Sequence, residues 1–573
     1  MNLSKLRRFL PFLLLALAAV ALVAAIVPAS AAPSPLGPTV KVQILAFNDF
    51  HGALKPPGTI STPTGSVNAG GAEYLATWIN TLRGNNPNTV VVSAGDMIGA
   101  SPLLSALFHD EPSIEAWNEI GLDFNAVGNH EFDEGLTELL RMQRGGCHPV
   151  DGCQDGDGFD GADFRYLAAN VVYQGTNRTI FPAYRIKTFP GNIKVAFIGM
   201  TLEGTPGIVS PSGVAGLTFK DEADTVNRLV GILKARGVKA IVVMIHEGGY
   251  NTSGTEYNGC PGISGPIVDI VERTRQDVDL FITGHTHQAY NCVIDGRVVT
   301  SAASNGRLLT RIDMELNRRT KDVQSVTAEN LVVAQTVTKD PVITALIAKY
   351  EAIAGPLQNR VIGSITGDFV RGATRGVESN IGRLIADAML DATDDPGTGN
   401  AQIAFMNAGG IRDDFFVNEI SGGEQIGEVT YGEMFNVQPF GNAMVTMDLT
   451  GTQIDQALEA QWIGVNPVPG NKLLQVSEGF TYSYSAAVAA NPANAGNVVD
   501  ISTIMLNGVP IDPNGVYRVT VNSFIADGGD QFPVFVQGTN RLGGAVDTDA
   551  LEAYFVAHSP LAPDPVARVT VLP

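Results

Sequence analysis

The stretch Phe124-Asn-Ala-Val-Gly-Asn-His-Glu-Phe-Asp133 decides how this chain folds. Phe124 to Val127 is an apolar run of strand length, and it breaks at Gly128 into a loop carrying an amide, an imidazole and a carboxylate at Asn129, His130 and Asp133. The same pattern repeats along the first half. Val42 to Phe47 leads into Asp49-Phe-His51, Thr89 to Ser93 into Gly95-Asp96, Ala240 to Ile245 into His246-Glu247, and Leu280 to Thr283 into Gly284-His-Thr-His287; Ile193 to Met200 adds a further strand. Apolar strands alternating with helical segments predict a layered α/β domain, a βαβ sandwich, over residues 40–325. In such a domain a rigid sheet aims the loops at the carboxyl ends of its strands toward one point.

A second α/β domain is expected over 357–573, opening with a helix near Asn380 to Leu390 and continuing in strands and Gly-rich turns. Between the two, over 338–356, Asp340-Pro341 supplies an N-cap and a proline at the first helical position. Val342, Ile343, Leu346, Ile347 and Tyr350 recur at helical spacing, and Gly355-Pro356 is expected to end this connecting helix.

With 573 residues, 45% of them apolar, the chain can bury two cores and is not of disordered composition. Lys5, Arg7 and Arg8 precede an apolar run from Phe9 to Val27 and then Ala29-Ser-Ala31, the pattern of a signal peptide over 1–31. Export to a periplasm or the extracellular space is therefore expected, with no stable membrane association after cleavage; an uncleaved N-terminal anchor is the alternative. Removing that segment, with its three positive and no negative charges, moves the formal net charge from -21 to -24. An acidic surface without a block of Lys and Arg argues against a nucleic-acid polymer as partner, but not against a small phosphorylated molecule. The four cysteines, an even number in an exported chain, predict two disulfides. Three pairings are open, and the most economical joins Cys147 to Cys153 and Cys260 to Cys292. The acidic stretch Asp151 to Asp163 misses calcium-loop spacing, because Phe159 stands where an oxygen ligand is required, and it reads as solvated surface.

Asp49, His51, Asp96, Asn129, His246, His285 and His287 offer the oxygen and nitrogen donors that divalent cations take. Asp49 and His51, two apart on an extended segment, are expected to share a face. Gly95 allows a close backbone approach that puts Asp96 between two ions. His130 reaches a reacting group from beside Asn129, and Asp133 orients its ring and favours its charged form.

Ala46-Phe-Asn-Asp-Phe-His-Gly52 and Ser93-Ala-Gly-Asp-Met-Ile-Gly-Ala-Ser-Pro102 resemble the 5'-nucleotidase family, and residues 41–310 as a whole resemble the calcineurin-like metallophosphoesterases. The resemblance implies two divalent metal ions, zinc, manganese or cobalt. One would be held by Asp49, His51 and His287, the other by Asn129, His246 and His285, with Asp96 bridging; His287 replaces an amide found in some relatives. It further implies in-line attack of water at phosphorus, with His130 and Asp133 as the catalytic pair.

In the second half, Arg371, Arg375, Asn407-Ala-Gly-Gly-Ile-Arg412, Pro439-Phe-Gly-Asn442 and Phe524-Ile-Ala-Asp-Gly-Gly-Asp530 carry forks for phosphate, aromatic faces and a ribose acceptor. Their order resembles the C-terminal domain of the same family. That implies Arg371, Arg375 and Arg412 at the phosphate end, Asn442 at the base, Phe440 and Phe524 on its two faces and Asp530 at the ribose. Asp527 departs from the small polar residue of the family pattern. The implied substrate is a small nucleotide, a nucleoside 5'-monophosphate, hydrolysed in nucleotide salvage. Broader hydrolysis of UDP-sugars or 2',3'-cyclic nucleotides is the alternative, and a non-catalytic exported binding protein the remote one. A substrate bridging two domains makes the connecting helix a hinge candidate.

Overall fold

The computed structural model describes residues 38–462, 472–490 and 497–573; the expected signal peptide lies outside them. Thr39–Phe47 is the third strand of a six-stranded sheet ordered Val323–Val332, Leu308–Asn317, Thr39–Phe47, Thr89–Ser93, Phe124–Ala126, Arg165–Leu167. It pairs antiparallel with Leu308–Asn317 and parallel with Thr89–Ser93. A second six-stranded sheet runs Ala289–Ile294, Arg297–Ala302, Leu280–Thr283, Ala240–His246, Ile193–Thr201, Tyr184–Phe189.

These strands read as unbroken apolar runs because both of their faces are covered. Val42, Ile44, Ala46, Val90 and Val92 meet Phe197, Val242, Met244 and Leu280 in the layer between the two sheets. Their sequence neighbours Leu45, Phe47 and Val91 point the other way, onto the helices Ala72–Asn85 and Glu111–Ile120. Phe47 stacks on Trp117 there, with ring centroids 4.0 Å apart and planes 7° off parallel. Ile241, Val243 and Ile245 likewise face the helices Glu222–Ala235 and Pro266–Arg273. Each buried aliphatic side chain is worth about 1.5–3 kcal/mol, so truncating Ile44, wedged between the sheets, would cost about 2–5 kcal/mol.

The connecting helix begins as its cap predicts, with Asp340 Oδ1 accepting from the N–H groups of Val342 and Ile343. It then spans Pro341–Gln358, passing through Gly355 and Pro356 instead of ending there. Pro356 forfeits one intrahelical bond, but the Asn359 N–H closes on the carbonyls of Gly355 and Leu357 and keeps the last turn intact. Ile343, Ile347, Tyr350 and Ala354 pack into the same core as the helices Ala72–Asn85 and Glu111–Ile120, which makes the helix part of the first body. The acidic loop is not wholly solvated either. The Asp155 side chain is only 3% exposed, accepting from Lys349 Nζ at 2.8 Å and the Tyr350 hydroxyl at 3.1 Å, because the helix supplies two donors to the loop.

The second half is built on a five-stranded sheet ordered Leu474–Val476, Ile403–Asn407, Val516–Asn522, Ala443–Thr450, Thr539–Val546. Helices Asn380–Asp391 and Asp547–His558 cover one face and Gly451–Glu459 the other. Disulfides join Cys147 to Cys153 and Cys260 to Cys292.

Candidate functional site

Five loops leave the carboxyl ends of parallel strands and converge. Asp49 and His51 follow Thr39–Phe47, Asp96 follows Thr89–Ser93 and Asn129 follows Phe124–Ala126, all in the first sheet; His246 ends one strand of the second sheet, and His285 and His287 follow another. The first two loops continue the ladder of their strands, with Asp49, His51 and Gly52 donating N–H bonds to the carbonyls of Gly95, Asp96 and Met97, each at 3.0 Å. Asp49, His51, Asp96, Asn129 and His246 are buried.

The ligand loops are not extended, contrary to the expectation for Asp49 and His51. Asp49, His51, Asp96, His285 and His287 all adopt left-handed backbone conformations, with φ of 50°, 47°, 51°, 70° and 54°. Each costs a non-glycine residue about 1 kcal/mol or more, and such strain persists only where the surroundings over-determine it. It turns the side chains inward from a shared edge, so Asp49 and His51 converge without the help of strand alternation.

Two groups of donors form around Asp96. Asp49, His51 and His287 make one, with His287 Nε2 3.3 Å from Asp49 Oδ1 and 3.1 Å from His51 Nε2. Asn129, His246 and His285 make the other, with Asn129 Oδ1 2.9 Å from His285 Nδ1 and 3.2 Å from His246 Nε2. Asp96 Oδ2 lies 2.9 Å from His246 Nε2 and 3.9 Å from His51 Nε2, between the groups. The tautomers are set from outside: Nδ1 of His246 donates to the Ala94 carbonyl and Nδ1 of His51 to the Gly99 carbonyl, both at 2.8 Å. The Nε2 atoms are thereby left facing the cluster, that of His246 toward Asp96 Oδ2 and Asn129 Oδ1 and that of His51 toward His287 Nε2. Carboxylate, amide and imidazole groups converging in a buried pocket are the donor set of a divalent cation, and the residues present fit the metals of the resembled family.

The electrostatics agree. Burial opposes ionisation of Asp96 and Asp49, yet the surrounding imidazoles, His246 for Asp96 and His287 for Asp49, hold both carboxyls below the usual range. Burial also opposes charge on His246, and Asp96 and Asp49 overcome it, pushing its pKa to about 10; positive charge is drawn to that point. His285, buried and beside His246, falls to about 3 and is neutral, the form in which an imidazole can bind a cation.

His130 stands beside this cluster. Its Nδ1 is 2.8 Å from Asp133 Oδ2, and its backbone N–H donates to Asp96 Oδ1 at 2.9 Å. Burial works against its charge, but Asp133 and Asp96 raise its pKa above the ordinary value.

The second half closes over the centre. The Phe440 ring lies parallel to that of His130, centroids 5.8 Å apart at 17°, and the Arg412 guanidinium sits 5.8 Å over Phe440. Arg412 is pushed down to about 10 by burial and by Arg375, and the charges of Asp133 and Asp96 pull against that shift. Asn442 meets Ser523, which donates to Asn442 Oδ1 at 3.4 Å, next to Phe524. Asp530 Oδ2 accepts from Asn407 Nδ2 at 2.7 Å, and the Phe524 ring packs so close to Gly529 that a Cβ there would lie 2.4 Å from it. Arg371 is turned onto Asp414, donating from Nε to Oδ1 at 3.0 Å and from Nη2 to Oδ2 at 3.1 Å. Asp527 pairs with Arg541 at 2.7 Å. A cavity of about 920 Å³ runs from His51 and His287 past Lys55 and Arg307 to Arg371, Arg375 and Arg412.

Two residues of this site escaped the sequence reading. Glu131 accepts from the N–H groups of Asp96, Met97 and Gly128 and from Asn125 Nδ2, clamping two ligand loops together. Its position inside the ligand motif was the available signal. Arg307, in the cavity wall, lies in an ordinary strand-entry segment and gave none.

Residues 42–289 match the model of calcineurin-like phosphoesterases, and residues 361–537 match that of the 5'-nucleotidase C-terminal domain. Among similar proteins, Endonuclease YhcR of Bacillus subtilis is 33% identical over 521 residues, covering 90% of this chain and 39% of its own length. Cell wall protein Lmo0130 of Listeria monocytogenes is 31% identical over 536 residues, covering 89% of this chain and 66% of its own. The chain thus spans less than two thirds of either relative. The 5'-nucleotidase precursor of Thermus thermophilus superposes with a TM-score of 0.74 at 25% identity, over 93% of this chain and 99% of that one.

Proposed function

The chain belongs to the 5'-nucleotidase family of calcineurin-like phosphoesterases, which are metal-dependent phosphoester hydrolases, and from that premise we propose that it hydrolyses nucleoside 5'-monophosphates to nucleoside and phosphate at a dinuclear centre. The observation that carries this reading is the approach of Arg412 and Phe440, from the half expected to read nucleotides, to His130 at the metal-type cluster. In this reading Asp49, His51 and His287 would hold one ion and Asn129, His246 and His285 the other, with Asp96 available to both; zinc, manganese and cobalt all suit these donors. Bound there, the ions acidify water and neutralise phosphoryl charge.

The chain's own groups do the rest. Asp133 takes the Nδ1–H of His130, leaving Nε2 to donate to a phosphoryl or departing oxygen as charge develops. Arg412, desolvated and close to Asp96, and Arg375 offer guanidinium forks to the phosphate. Asp530, steadied by Asn407, accepts from ribose hydroxyls, and Phe440 and Phe524 flank the base with Asn442 at its edge. The domain division at 40–325, 338–356 and 357–573 belongs to the same reading. Because the connecting helix is packed into the first core, any rotation of the halves pivots beyond Gln358.

A wider substrate range is favoured by one observation: Arg307 lines the cavity beyond Arg375 and Arg412, whereas Lys55 is paired with Glu351 at 2.7 Å and Arg371 with Asp414. UDP-sugars and nucleoside di- or triphosphates carry additional phosphate charge that a further guanidinium would meet. Export is supported by the two disulfides and by a relative named for the cell wall. No helix among the described residues is long and apolar enough to cross a membrane. Purified protein incubated with AMP, UDP-glucose, 2',3'-cyclic AMP and an oligonucleotide, with and without EDTA, tests the proposal. EDTA-sensitive phosphate release from AMP is expected, and no release from any nucleotide would sink it. The oligonucleotide arm is included because one relative is named an endonuclease; the acidic net charge of -21 predicts no cleavage there.

A further inference from the structure

A second cluster of metal-type side chains lies outside the catalytic centre. His109, in a turn after the helix Leu103–Ala106, meets His148 and Asp151 in the turn closed by the Cys147–Cys153 disulfide. His109 Nε2 is 3.0 Å and His148 Nδ1 3.3 Å from the same oxygen, Asp151 Oδ2, and the two imidazoles stack with centroids 3.7 Å apart at 17°. A tetrahedral ion with bonds of about 2.0–2.1 Å needs ligand atoms about 3.3 Å apart, and the two distances to Asp151 match that edge; because imidazole lone pairs lie in the ring plane, one ring would turn out of the stack to share the ion. On the far side of His109, Nδ1 lies 2.8 Å from Glu134 Oε2, the carboxylate–histidine arrangement that orients a metal-binding imidazole. Glu138, also near, is taken by Arg141 through bonds of 2.6 and 2.9 Å. Two contacts compete: the Asp151 N–H donates to His148 Nδ1 at 3.2 Å, and His109 in its charged form donates from Nε2 to Asp151 Oδ2 at 3.0 Å; an ion would replace the first and displace the proton of the second.

We propose that His109, His148 and Asp151 form a third, structural site for a zinc-type divalent cation, with Glu134 orienting His109 from behind. Two imidazoles and one carboxylate suit a borderline cation, and the partly exposed site leaves its fourth position to water. The ion would pin the disulfide-closed turn to the turn carrying His109, which Glu134, the residue after Asp133, holds from behind. Its role is mechanical, and it does not rest on the identity of the substrate.

The test uses the intact, metal-loaded protein. After dialysis against zinc-free buffer, zinc is added and the protein is gel-filtered; bound zinc per chain is counted by mass spectrometry for wild type, His148→Ala and the near-isosteric Asp151→Asn. Wild type is expected to retain one zinc more than either variant and to melt at a higher temperature with zinc, while AMP turnover stays equal in all three. Cobalt in place of zinc should give a tetrahedral absorption band that Asp151→Asn removes, a readout that survives even if His148→Ala folds poorly. Equal zinc content in wild type and Asp151→Asn overturns the proposal, whether or not the protein hydrolyses AMP.

Discussion

Glu131→Gln asks whether one buried carboxylate holds the metal loops in register. Oε1 accepts from Met97 N–H at 2.9 Å and Asn125 Nδ2 at 3.2 Å; Oε2 accepts from Asp96 N–H at 3.0 Å and Gly128 N–H at 2.6 Å. All four partners are donors, so only the anion satisfies them. Burial, with Asp96 adding to it, pushes the Glu131 pKa up to about 7, and the comparison is best made at pH 8, where the group is ionised. Glutamine is the same size, but whichever way its amide turns, an NH2 faces two N–H donors. Two charge-assisted bonds at about 1.5–3 kcal/mol each are lost, partly recovered by relaxation, for a net cost of about 3 kcal/mol. Because Asp96 and Asn129 lie on the clamped loops, apparent metal affinity should fall about 10–100-fold. Urea unfolding in excess metal gives the first number, and metal titration of AMP hydrolysis the second. A variant within about 0.5 kcal/mol of wild type and with its metal affinity unchanged would refute the clamp.

Three further outcomes are expected. His130→Ala should lower kcat about 10²–10³-fold with KM changed only a few-fold, measured on AMP; an unchanged kcat removes the residue from the chemistry. Gly128→Ala should abolish metal binding in a chain that still shows its normal circular dichroism, since a Cβ there would sit 2.1 Å from Asp96 Oδ1 and 2.6 Å from its backbone nitrogen; full metal content would contradict this. His109→Gln should change how stability depends on pH in zinc-free buffer. Burial disfavours charge on His109, but Glu134, Asp151 and Glu138 outweigh it and raise the pKa to about 9, with His148 stacked alongside. The stabilisation is therefore complete below the unfolded pKa of about 6.5 and fades as pH rises through about 9. The carboxylates are nearly half exposed, so screening leaves about 1 kcal/mol between wild type and variant at pH 6, vanishing by pH 10; a gap constant across that range would show that the charge is not involved.

Much of the architecture was legible in local pattern. Unbroken apolar runs such as Val90 to Val92 and Ile241 to Ile245 marked strands covered on both faces, and Asp340-Pro341 marked the start of the connecting helix, because strand burial and helix capping are decided within a few residues. Gly355-Pro356 misled, since the Asn359 N–H closes the last turn despite the proline. The donors of the site were likewise legible as residue types at strand ends, and the disulfides formed are the most economical of the three pairings the cysteines left open.

Their convergence was not. Asp49, Asp96 and Asn129 come from one sheet and His246, His285 and His287 from the other, and only the packing of the two sheets around Ile44, Phe197 and Val242 brings them within reach of one another. The left-handed turns at five of the seven ligands, the clamp at Glu131, the wall at Arg307 and the meeting of His109 with His148 also depend on neighbours distant in sequence. The sequence alone determined which chemical groups stand at the ends of which strands, because burial and turn formation are local. Tertiary structure alone decided which of those groups meet, because that depends on how two independently twisted sheets and a second domain pack against each other.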